Sequence, residues 1–298
     1  MSAFSSQIYR LIFAAAAAYN ILFGLWASLF PHAFFKILNI DPPRYPGIWA
    51  CLGMVVGLYG VGYGYAAWRL DRAFPFIAIG LAGKIFGPIG WVIAVRNGEL
   101  PFRTFPLIVF DDLLWWLPFG LFLVEGAAIA SFLKRTAPYW CAGLHVIAAI
   151  ATLVLLHSHP RAMWLLWMIA AISLVGFYTW WGSSLQRVAP LAVAMIAIAC
   201  DFSGESIYIG WLPPAGTKLE RAAALLTSGA ANGLYTLAGI MLTLASPSLP
   251  FRWLAWLAWA SGFALTTVTI LNVQTGVVIT SAALMIFFIP FVVAMARR

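Results

Sequence analysis

The chain has 298 residues, 63% of them hydrophobic and 9% charged, with a mean hydropathy of +0.94. A soluble domain is about 45–50% apolar and about 25% charged, so this chain lacks the polar surface that a water-soluble fold of its size requires. The net charge of +8 comes from basic residues scattered singly or in pairs between apolar runs. There is no basic block, RNP-like strand or Cys/His finger, which argues against a nucleic-acid partner.

A membrane-spanning helix needs about 20 mostly apolar residues. Taken in chain order, ten stretches qualify: 8–30, 47–69, 74–96, 104–124, 138–156, 162–182, 190–212, 223–246, 253–272 and 275–296. Turn signals separate them, among them Asp41-Pro42-Pro43, Asn97-Gly98, Ser158-His159-Pro160, Pro213-Pro214 and Ser246-Pro247. The last two stretches are joined only by Asn272 to Gly276, so they form an antiparallel hairpin. Runs of this length, without ten-residue alternating segments, exclude a β-barrel. The fold class is therefore all-α: a polytopic integral membrane protein of about ten transmembrane helices with no sizeable soluble domain.

The first apolar stretch follows Arg10 and outlasts the roughly 7–15 residues of a signal-peptide core, so it reads as an uncleaved first span. Cys51, Cys141 and Cys200 are odd in number and all lie in apolar runs, which speaks against a disulfide framework or a thiolate metal site. The longest non-apolar connections are 31–46 and 125–137. The second divides the chain into a front bundle of about four spans (1–133) and a back bundle of about six (134–298). No internal repeat is visible.

Ten spans place both termini on one side. That side carries Arg10, Arg69, Arg72, Lys134, Arg135, Arg187, Arg252, Arg297 and Arg298. The opposite loops carry Lys36, Arg44, Arg96, Arg103, Arg161, Lys218 and Arg221. Nine against seven favours cytoplasmic termini in a cell membrane, with lipids as partners.

Within the spans, glycines come first. Gly53, Gly57, Gly60 and Gly64 form a stripe on one face of span two, and Gly80, Gly83, Gly87 and Gly90 do so on span three. Small residues let helix backbones approach in lipid. The stripes therefore imply tight packing of these two spans, with each other as one candidate partner.

Charge is the second feature. Asp111 and Asp112 lie in span four, Asp201 and Glu205 in span seven, and Lys84 near the middle of span three. A charge at the bilayer centre costs about 2.5–3.5 kcal/mol on translocon scales. Five unpaired charges would then cost about 12–17 kcal/mol, comparable to the stability of a whole fold. These groups should face inward and find partners. Antiparallel spans three and four bring Lys84 level with the aspartates, which suggests an ion pair with Asp111 or Asp112. Adjacent aspartates point about 100° apart, so one lysine cannot serve both.

Asp201 and Glu205 share a helix face at i,i+4, and Tyr208 continues it. Like charges at that spacing repel, so the pair calls for a proton or a cation. Ser203 and Ser206 are candidate hydrogen-bond donors to it, Gly204 a candidate point of loosening, and Arg187 and Arg221 the loop cations that could turn inward. One deep positive charge against four negative leaves a deficit of three, equivalent to two or three protons, a bound cation or inward-turned arginines. Trp115 and Trp116 follow the acidic pair and either wall a pocket beside it or serve packing. His145, alone in its span, reads as an interior hydrogen-bonded histidine rather than a haem ligand. His157 and His159 do not share a helical face. No metal or other cofactor is indicated, and no phosphate loop, Gly-x-Ser-x-Gly elbow or His-Glu-x-x-His motif is present.

Three functional readings follow. The first is a proton- or cation-linked transporter in which Asp201 and Glu205 exchange the ion. Lys84, Asp111, Asp112, Trp115, Trp116 and Tyr208 would then contribute to binding a small molecule or lipid. The second is a membrane-embedded acid–base enzyme acting on a lipid or isoprenoid, with Asp201 and Glu205 as its catalytic carboxyls. The third is a scaffold subunit whose charges only hold helices together.

Overall fold

The computed structural model describes residues 3–125, 127–249 and 251–297, except for the side chains of 128–130. The protein is 85% helical, with no strand among the described residues. Among these residues, ten helices are long and apolar enough to cross a membrane. They are α1 (Ala3–Leu29), α2 (Pro46–Trp68), α3 (Phe74–Arg96), α4 (Phe102–Leu123), α5 (Ser131–Leu155), α6 (Pro160–Leu185), α7 (Ala189–Trp211), α8 (Lys218–Leu244), α9 (Arg252–Ile270) and α10 (Gln274–Ala296). Large apolar side chains such as Leu58, Phe86, Leu153 and Ile286 cover the outward faces. Helices close their own backbone hydrogen bonds, and an exposed apolar surface suits lipid. This is an integral membrane protein.

The helix ends follow the turn chemistry with one exception. Leu212 takes a left-handed conformation (φ 47°) and ends α7 ahead of Pro213-Pro214. By contrast, the 134–138 segment, whose basic residues and Pro138 suggest a connection, is helical, and helix already begins at Ala128. A proline removes one donor and loosens the preceding turn, but in a long helix neighbouring groups absorb the loss. Thr136 Oγ1 donates to the Phe132 carbonyl at 2.7 Å, and Trp140 Nε1 donates to Thr136 Oγ1 at 3.0 Å.

The helices form two compact units, Met1–Ala130 and Ser131–Arg298. In the first, α1 and α2 make the most extensive helix pair. Glycine causes it: a Cβ on Gly24 would meet the Gly53 carbonyl at 2.6 Å and the Gly57 nitrogen at 2.7 Å. The stripe on α2 thus packs on α1, not on α3. The α3 stripe is divided between partners. Gly80 receives Tyr63 of α2 and Gly87 receives Asp112 of α4, while Gly83 and Gly90 meet no described residue within 4 Å. Phe119 fills the centre of this unit, edge-on to Phe13 (5.6 Å between ring centroids) and Tyr63 (5.1 Å). In the second unit, Phe291 is packed by Trp181 at 5.5 Å and Trp259 at 5.9 Å.

Arginines tie antiparallel neighbours together. Arg10 of α1 donates to the Ala67 and Trp68 carbonyls at the end of α2 (2.7 and 2.6 Å). Arg161 of α6 donates to the Ile209 carbonyl near the end of α7 (2.9 Å). Arg221 of α8 donates to Thr269 and Ile270 at the end of α9. A helix C-terminus leaves carbonyls unpaired and bears partial negative charge, so a cation from the adjacent helix start satisfies both.

Candidate functional site

The first polar cluster lies within the first unit, around a π-helical turn at Val109–Leu113 in α4. A π turn inserts one extra residue and displaces carbonyls from their usual i→i+4 donors. Here two of them take side-chain donors instead. The Phe110 carbonyl accepts from Trp115 Nε1 at 2.7 Å, and the Asp111 carbonyl accepts from Lys84 Nζ. Lys84 is 5% exposed and its ammonium lies over the rings of Tyr63 (5.7 Å) and Trp115 (5.9 Å). Cation–π attraction at such distances supplements the single hydrogen bond.

The expected carboxylate partner is absent. Among the described residues, no carboxylate oxygen lies within 4.0 Å of Lys84 Nζ. The π turn explains the difference, because it presents a main-chain oxygen where a regular helix would have withheld one. Asp111 keeps a buried Oδ1 without a hydrogen-bond partner among the described residues, and Asp112 sits against the Gly87 notch. Trp115 is buried in this cluster, whereas Trp116 is 39% exposed and donates from Nε1 to the Lys84 carbonyl at 2.8 Å.

The second cluster lies within the second unit, on α7. Glu205 is 2% exposed, and its Oε2 is buried without a hydrogen-bond partner among the described residues. Asp201 precedes it by one turn and is half-buried. Among the described residues, no cationic group lies within 4.0 Å of either carboxylate. Arg221 is occupied at the end of α9 and does not turn inward. The serines do not serve the carboxylates either. Ser203 Oγ donates to the Ala199 carbonyl at 2.7 Å and Ser206 Oγ to the Phe202 carbonyl at 2.5 Å. Short hydroxyl side chains reach the i−4 carbonyl of their own helix more readily than a carboxylate on another face.

Gly204 allows the close approach of a second π turn, Leu225–Ala231 of α8. A Cβ at Gly204 would meet the Ala223 carbonyl at 2.7 Å and Thr227 Cγ2 at 2.6 Å. Just beyond that turn, Tyr235 of α8 places its hydroxyl beside Asp201 and within electrostatic reach of Glu205. Among the described residues, that hydroxyl has no well-formed hydrogen bond. Tyr178 of α6 donates to the Tyr235 carbonyl at 2.9 Å and anchors this part of α8. Tyr235 escaped the sequence reading because it belongs to no motif, and because the extra residue of the π turn shifts the phase of everything after it by about 100°. Its only signal was a polar-tipped side chain three residues after Asn232 in an apolar span.

Tyr208 leaves the carboxylate pair. Its ring stacks on Trp164 (4.1 Å, 3° between planes) and its hydroxyl approaches Glu220 Oε1 at 3.4 Å. His145 is buried, with Nδ1 2.8 Å from the Cys141 carbonyl, and it packs against Trp167 and Phe288. Among the described residues, no group of three or more His, Cys, Asp or Glu side chains could hold a metal ion.

No protein-family model, curated protein or solved structure matches the chain. The class that sequence and fold define is a multi-pass helical membrane protein, here with an intramembrane polar cluster in each unit.

Proposed function

We propose that the protein is a proton- or cation-linked carrier for a small molecule or lipid, residing in a cell membrane with cytoplasmic termini. Asp201 and Glu205 would form the ion-exchanging pair. The observation that carries this reading is the buried Glu205 Oε2 without a hydrogen-bond partner, one turn from Asp201 and with no cation in ion-pairing range among the described residues. Two carboxylates cannot both stay charged in such a place without a counter-ion. A proton or a transported cation supplies the balance, and its exchange is a means of coupling. The adjacent π turn supports the reading, since π turns recur at functional sites. Tyr235 is the side chain placed to hydrogen-bond whichever form Asp201 takes. Lys84 with Asp111 and Asp112 forms a second cluster, with a gating or structural part in the same cycle.

The test is proton movement into vesicles carrying a luminal pH dye, paired with carbonyl-stretch infrared titration of the purified protein. The expected result is proton uptake driven by an imposed membrane potential, reduced at least tenfold in Glu205→Gln. A protonated carboxyl band should also disappear in that variant. Wild-type carboxyls fully ionised across neutral pH without a bound cation would overturn the proposal. So would undiminished uptake by folded Glu205→Gln and Asp201→Asn.

A further inference from the structure

In the second unit, α6, α8 and α10 end around one crevice of about 240 Å³, lined among others by Trp180, Trp181, Ser184, Ser246, Ser248 and Met295. The indole of Trp181 is buried and donates to Ser246 Oγ at 3.0 Å, which holds the two helix ends together. Gln186 then adopts a left-handed conformation (φ 53°), and the Arg187 N–H closes on the Gly182 carbonyl at 3.0 Å.

Cationic residues adjoin the lining along the chain. Arg187 is exposed and lies two residues beyond Leu185 of the lining. Arg252 donates to the Pro247 carbonyl in the lining at 3.4 Å. Arg297 is exposed and lies two residues beyond Met295. The start of α5, with Lys134 and Arg135, joins the same end, because Tyr139 donates to the Ala296 carbonyl at 3.1 Å. The acids of this unit lie elsewhere: Asp201 and Glu205 within α7, and Glu220 at the opposite end, in the first turn of α8. At the opposite end, Arg161 and Arg221 serve helix C-termini.

We infer that this crevice binds the headgroup of an anionic phospholipid. Positive charge together with hydroxyl donors suits the charge and the acceptor oxygens of a phosphate group. Tryptophan belongs at the depth where headgroup meets acyl chain, and basic pockets between helices are the usual seats of acidic lipid headgroups. A phosphate in solution would share the polar contacts but not the apolar wall of Trp180 and Met295.

The full chain in nanodiscs of equal phosphatidylglycerol and phosphatidylcholine provides the test, with retained lipid read by native mass spectrometry. Wild type should retain phosphatidylglycerol preferentially, and high salt during extraction should abolish the preference. Each arginine near an anionic surface contributes about fivefold, so the Arg187→Gln, Arg252→Gln, Arg297→Gln triple variant should lose roughly 100-fold. The corresponding lysine triple variant should largely retain the preference. Replacing Lys36, Arg44 and Arg96 by Gln should leave it unchanged. Absence of preference in wild type, insensitivity to salt, or equal loss in both Gln triples would overturn the inference. Binding of inorganic phosphate without lipid preference would overturn it in favour of a soluble anion. If the Gln triple fails to fold, the wild-type salt titration and the lysine triple still decide.

Discussion

Two glycines of one helix interface should respond to alanine in opposite ways. At Gly24 the added Cβ would lie 2.6–2.8 Å from three atoms of α2, all main chain. A side chain could rotate away; a main-chain atom can yield only if the helices separate. Overpacking of this kind costs about 1–3 kcal/mol, and the gain from replacing a helical glycine recovers about 0.5–1 kcal/mol. The net expectation for Gly24→Ala is a loss of about 1–2 kcal/mol. At Gly57 the nearest atom to an added Cβ is Gly24 Cα at 3.9 Å, an ordinary van der Waals contact. Gly57→Ala should therefore be neutral or stabilising by up to about 0.5–1 kcal/mol. The measurement is reversible unfolding of both variants in mixed micelles of rising SDS fraction, followed by tryptophan fluorescence. Equal stability of the two variants, or a greater loss at Gly57, would refute the claim that main-chain approach at Gly24 holds α1 against α2.

Lys84→Met should destabilise the first unit by about 1.5–3 kcal/mol, the range for a hydrogen bond from a charged donor. Because the acceptor is the Asp111 main chain, that cost should be the same within about 0.5 kcal/mol in an Asp111→Asn background. A much larger coupling in the double-mutant cycle would restore the carboxylate ion pair. Arg221→Gln should cost about 1–2 kcal/mol by uncapping α9, whereas Lys218→Gln, exposed one turn earlier, should stay within about 0.5 kcal/mol of wild type. Thermal unfolding of the two variants side by side checks this.

The polar clusters show where a linear reading stops. Lys84 and Asp111 do meet, as their depth in adjacent antiparallel spans implied, but through a different atom of Asp111. Helical periodicity assumes 3.6 residues per turn, and the π turn at Val109–Leu113 breaks that assumption where the charges sit. The same break at Leu225–Ala231 brings Tyr235 round to Asp201, a neighbour no spacing rule would select. Ser203 and Ser206 erred in the other direction. They neighbour the carboxylates in the chain yet bond to their own helix, because a hydroxyl one bond from Cβ reaches the i−4 carbonyl first.

Composition and run length were enough for the helical membrane class and for the ten spans, because in lipid each backbone polar group must be satisfied within its own helix. That requirement is local, and a local property can be read along the chain. Partner choice is not local. Whether a glycine admits a helix, an aspartate or no described neighbour depends on which surface stands opposite, as Gly24, Gly87 and Gly83 demonstrate in turn. Arg221 looks in sequence like a loop charge and in the fold caps a helix 48 residues away. Packing in lipid rests on close contact rather than hydrophobic burial, and contact is set only once the helices have met.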